Sequence, residues 1–168
     1  MFDKFGEFDS AEEINRAACA QRAEGDEEAV YLLAEENGID RTEAEDFASG
    51  YIDELTNPVL AAIGKLEIEE QDLKLGGVLT DWAEELKILC LRDEAFARAV
   101  RKKGKDLAGF LALTAETGYQ NRTVVDKRIV DKTKQVKKIV GSHDFSIGIP
   151  TKKERRELAC KYYQEGQG

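Results

Sequence analysis

Helix-opening signals recur along the whole 168-residue chain, and behind most of them the apolar residues fall three and four positions apart. That spacing places them on one helical face. Ser10 with Glu13 reads as a capping box ahead of a helix that carries Ile14 and Ala18. Asp26 opens a second helix with Val30 and Leu33 inward, and Gly38 stands where a left-handed residue would end it. Thr42 with Glu45 forms another box, and Ala44, Phe47, Ala48, Tyr51, Ile52 and Leu55 behind it follow one face. Asn57-Pro58 is a cap followed by proline at the first helical position, leading to Val59, Leu60, Ile63 and Leu66.

The second half repeats the pattern. Leu79, Trp82, Leu86 and Leu89 share a face, and Asp93 opens a helix with Phe96, Ala99 and Val100. Asp106 starts another with Leu107, Phe110, Leu111 and Thr114, ending near Gly118. Thr123 with Asp126 begins a basic helix, and Gly141 to Pro150 has the content of a loop or short strand. Thr151 with Glu154 caps a last helix carrying Leu158, Ala159, Tyr162 and Tyr163. No alternating run long enough for a sheet interrupts these segments, which excludes the α/β architectures. The expected fold is all-α, a globule of eight or nine helices. The charged stretch from Gly64 to Gly76-Gly77 is the expected connection between two helical subdomains, an acidic one over 1–75 and a basic one over 76–168.

Charge is the second constraint. Residues 1–91 hold 24 carboxylates against 7 Lys and Arg, a net of −17, and residues 92–168 hold 18 basic against 10 acidic groups, a net of +8. Such a split suits internal attraction between the halves or separate partners for each. No apolar run approaches the twenty or so residues of a membrane span. Met1-Phe2-Asp3-Lys4-Phe5 has neither the basic flank nor the apolar stretch of a secretion signal, so a cytoplasmic location is expected. The three cysteines, Cys19, Cys90 and Cys160, lie far apart and in odd number. They are expected to be reduced, buried, apolar-like side chains and not a disulfide framework.

Catalytic constellations are missing from the pattern. The single histidine, His143, sits in Gly141-Ser142-His143-Asp144, where sequence neighbours do not adopt triad geometry, and it is expected to make local loop contacts. Neither phosphate-cradling glycine motif occurs. The expectation is a non-enzymatic binder with no cofactor or metal. Two surfaces are candidates. The acidic positions Glu67, Glu69, Glu70, Asp72, Glu84 and Glu85 would face a basic groove. The basic positions Arg98, Arg101, Lys102, Lys103 and Lys105 would meet nucleic-acid phosphates, as would Lys127, Arg128, Lys132, Lys134, Lys137 and Lys138.

Several stretches resemble the PcfK-like family: Met1 to Phe8, Ala34-Glu35-Glu36-Asn37-Gly38-Ile39-Asp40, Asp81-Trp82, Ala99-Val100-Arg101-Lys102-Lys103-Gly104-Lys105, Gly148-Ile149-Pro150 and Tyr162-Tyr163. Proteins of that family are encoded on conjugative and integrative elements of Gram-positive bacteria, and some are described as anti-CRISPR inhibitors. The resemblance implies a mobile-element or phage protein that binds a CRISPR effector nuclease and blocks target DNA. The other expectation is a DNA-binding accessory protein of a conjugative or phage element, working through Arg98 to Lys105.

Overall fold

The computed structural model describes residues 4–165, so Met1, Phe2 and Asp3, on which the leader expectation and part of the family resemblance rest, lie outside the described residues. Ten helices and one two-residue strand pair make up the described chain: α1 (Ala11–Glu24), α2 (Glu27–Glu36), α3 (Arg41–Ala48), α4 (Pro58–Leu73), α5 (Val78–Arg92), α6 (Glu94–Arg101), α7 (Leu107–Gln120), β1 (Thr123–Val124), α8 (Lys127–Val130), α9 (Gln135–Val140), β2 (Ser146–Ile147) and α10 (Lys152–Gln164). The protein is an all-α multi-helix globule. Among the described residues, no helix is long and apolar enough to cross a membrane.

Local chemistry sets most helix starts. The side chains of Asp26, Asp93 and Asp106 each accept from the backbone N–H three residues on, satisfying one of the orphan donors of the first turn. Asn57 accepts from both Val59 and Leu60, with Pro58 inside the first turn. Thr151 and Glu154 close a complete reciprocal box. At α1 the box is only half formed: Ser10 accepts from Glu13 N–H, but the Glu13 carboxylate reaches Asp9 N–H instead of Ser10.

Three local expectations are corrected. Asp40, not Thr42, caps α3, which stops at Ala48, because Gly50 takes a left-handed turn at φ 80°. Tyr51 is therefore left exposed, while Leu55 reaches the core from an irregular segment. Thr123 does not cap a helix: it pairs in β1 with Ile147, and Asp126 caps the short α8. The stretch from Gly64 to Leu73 is not a connection but the second half of α4.

Buried apolar side chains form two clusters. One gathers Ile14, Ala18, Val30, Leu33, Phe47, Leu55 and Ala61 under α1–α3. The other gathers Leu66, Trp82, Leu86, Phe96, Val100, Phe110 and Tyr163 between α4, α5, α6, α7 and α10. Different faces of α4 meet the two clusters: Ala61 packs in the first, and Val59, Ala62, Ile63 and Leu66 pack in the second. One helix thus serves as the shared wall of both cores.

Two pairs of glycines allow the tightest crossings. A Cβ on Gly38 would collide with the Gly64 backbone, and one on Gly64 with the carbonyl of Asn37, so the α2–α3 corner lies directly on α4. Gly118 and Gly148 meet in the same way where the chain returns from β2 past the end of α7. The cysteines are unpaired. Cys90 is buried, and its thiol is pushed up to about 12 by burial. Cys19, expected inside, is exposed: its neighbour Ala18 takes the buried position on α1.

Candidate binding surfaces

The six acidic positions do not form one free surface. Glu67, Glu70 and Glu84 converge on Lys87, whose ammonium lies 3.9, 2.8 and 2.7 Å from them. Burial alone would lower the Lys87 ammonium, but its hydrogen bonds to Glu70 and Glu84 outweigh that and hold it above its ordinary value. Glu85 takes a two-pronged grip from Arg155 on α10, at 2.9 and 2.6 Å, and these hydrogen bonds raise the guanidinium. Such forked pairs fix geometry as well as charge. These four carboxylates tie α4, α5 and α10 together.

Glu69 is 5% exposed and is engaged within the fold. It accepts from Leu107 N–H at 2.8 Å, at the start of α7, and lies 3.9 Å from the Lys65 ammonium. Burial raises its carboxyl to about 7, against the pull of Lys65 and of that N–H. Lys65 is itself buried, donating to the carbonyls of Lys102 and Lys105 and pairing with Glu7 at 2.9 Å. Among the described residues, only Asp72 of the six stands at the surface outside an ion pair, on a cleft shared with Glu7, Lys105 and Asp106.

The basic run from Arg98 to Lys105 is likewise dispersed among several neighbours. Arg98 lies at the surface but is held by Glu12 at 2.6 Å and Glu94 at 2.9 Å. Arg101 is 1% exposed, although a charged residue is almost never fully buried without hydrogen-bonded partners. It donates to the Asn37 side-chain oxygen at 2.6 Å and to the Ala61 carbonyl at 3.5 Å, and burial lowers it to about 10. Lys105 donates to the carbonyls of Tyr162 and Glu165 at the end of α10. Lys102 and Lys103 stay exposed. Adjacency in sequence suggests one basic surface, whereas the fold turns Arg98, Arg101 and Lys105 to three different neighbours.

Two regions do carry uncompensated charge. Residues 11–56 hold fourteen carboxylates against three arginines, a net of −11. Two of those arginines are occupied: Arg22 donates to the carbonyls of Phe47 and Ile52, and Arg41 pairs with Glu45 over the Tyr31 ring. Glu24, Glu27, Glu35, Asp46, Asp53 and Glu54 are exposed, and among the described residues none of them makes an ion pair. Local net charge is the sequence signal that marks this face. The second region is the basic segment between β1 and β2, which includes Lys127, Arg128, Lys132, Lys134, Lys137 and Lys138. His143, in the turn leading into β2, contacts the Val140 carbonyl at 3.3 Å.

No protein-family model matches the chain, and no curated protein or solved structure matches it significantly.

Proposed function

We infer that this protein is a non-enzymatic inhibitor that binds a nucleic-acid-handling protein through the carboxylates of α1–α3 and keeps nucleic acid out of that protein's basic groove. The observation that carries the reading is the net −11 over residues 11–56, much of it on exposed side chains that make no ion pair among the described residues. Uncompensated charge of one sign steers a partner of the opposite sign and fixes its orientation. A groove built to hold a nucleic-acid backbone is lined with Lys and Arg, and it offers that complement.

The resemblance to the PcfK-like family narrows the partner to a CRISPR effector nuclease met in the bacterial cytoplasm, with the inhibitor supplied by a mobile element. The DNA-binding accessory reading through Arg98 to Lys105 has less support, because Arg98, Arg101 and Lys105 are engaged within the fold. The test is target cleavage by guide-loaded effector nucleases from Gram-positive bacteria, with the protein added in stoichiometric amounts. Suppressed cleavage by at least one of them is expected. Full activity of every nuclease tried would overturn the reading.

A further inference from the structure

We propose that the excursion from Tyr119 to Ile149 is a second binding surface, one that takes the phosphate backbone of single-stranded nucleic acid. The excursion is anchored where Gly118 and Gly148 touch. Its base is closed by the β1–β2 pairing, continued by Val125 N–H donating to the Phe145 carbonyl at 2.7 Å. Between Tyr119 and Ile149 only Val130 is buried, and every charged side chain on α8 and α9 is exposed.

Residues 122–138 carry seven basic groups against two carboxylates. Both carboxylates are taken: Asp126 pairs with Arg128 and Asp131 with Lys137, each at 2.9 Å. Lys127, Lys132, Lys134 and Lys138 are exposed, and among the described residues none of them makes an ion pair. Lysines left without carboxylates are the groups that displace counterions from a phosphate backbone. At the foot of the excursion the Arg122 guanidinium lies 4.3 Å from the centre of the exposed Tyr119 ring. An exposed aromatic ring paired with a guanidinium plane offers a stacking platform to an unpaired base, which a duplex would not present. This is why a single strand is favoured. Ile129 and Ile139 are also exposed among the lysines, and they would serve an apolar partner instead.

The experiment is fluorescence anisotropy of a labelled 20-nucleotide single strand with the full chain across a salt series. Four free lysines predict a slope of log K against log salt of about −3, taking roughly −0.7 per phosphate neutralised. The variant Lys132→Gln/Lys134→Gln/Lys138→Gln should bind at least tenfold more weakly with a shallower slope, at unchanged helical circular dichroism. Lys103→Gln, outside the excursion, should bind like the parent, and so should Ile129→Ser/Ile139→Ser. Absence of binding at low salt would overturn the proposal. So would equal loss in Lys103→Gln, or loss in the isoleucine variant with retention in the lysine variant, which would point to an apolar partner.

Discussion

The guanidinium of Arg101 donates to the side-chain oxygen of Asn37 at 2.6 Å, across 64 positions of sequence and with both residues buried. Asn37 in turn donates to the Leu33 carbonyl at 2.8 Å. This bond joins the last turn of α6 to the end of α2, so it fastens one apolar cluster to the other. Replacing Arg101 by Ala strands the Asn37 oxygen and empties a large volume. An unsatisfied buried acceptor costs about 1–3 kcal/mol and the emptied volume adds to it, so Arg101→Ala should lose at least about 2 kcal/mol by urea denaturation. Lys103→Ala, an exposed neighbour, should change it by less than about 0.5 kcal/mol. Equal effects would mean that Arg101 is a surface residue after all.

Gly64 faces backbone on its open side, so a methyl group there has no room unless α2 and α4 separate. Gly76 has open space around it and ordinary φ. Gly64→Ala should therefore cost well over the ~1–3 kcal/mol usual for an overpacked core, while Gly76→Ala should be close to neutral. Thermal melts of the two variants check this, and similar melting temperatures would contradict the close crossing.

Glu69 makes stability depend on pH with a definite sign. Burial raises its folded carboxyl to about 7, whereas the ordinary value is 4.5. The folded state holds a proton there that the unfolded chain releases. The stability this proton brings is full below about pH 4.5 and is lost as pH rises through 7. Lys65 and the Leu107 N–H oppose the rise, whereas the negative charges of Asp106 and Glu7 add to it. Glu69→Gln keeps an acceptor for Leu107 N–H without the charge. Measured by denaturation from pH 5 to pH 8, the variant should gain on the parent by about 2 kcal/mol, since each tenfold difference in proton affinity between folded and unfolded chains is worth about 1.36 kcal/mol. A constant difference would show that Glu69 is ionised throughout.

The helix starts were legible because capping is local: Asp93, Asp106 and the Thr151–Glu154 box work through residues three positions apart. What sequence concealed was tertiary. The charged run after Gly64 resembles a connection because Lys65 and Glu69 read as solvent-facing, yet each is buried against residues roughly forty positions away. Arg101 is hidden inside a basic run for the same reason. Apolar periodicity continues through Tyr51 and Leu55 although the helix does not, since the turn at Gly50 leaves Leu55 inside and Tyr51 outside. The acidic character of α1–α3 was legible as net charge. Which of those carboxylates stay unpaired depends on where Arg41 and Arg98 reach.

Inhibition of the proposed kind requires that the α1–α3 carboxylates exclude nucleic acid from a basic groove. The direct measurement is anisotropy of a labelled target DNA on a guide-loaded effector nuclease titrated with the protein. Its companion is the variant Glu27→Gln/Glu35→Gln/Asp46→Asn, in which three exposed charges are removed and no described ion pair is broken. The parent should prevent DNA binding, less effectively as salt rises because exposed charges are screened within about 8–10 Å. At least ten times more of the variant should be needed for the same effect. A variant as potent as the parent, or a parent that leaves DNA binding intact, would contradict the proposed mechanism.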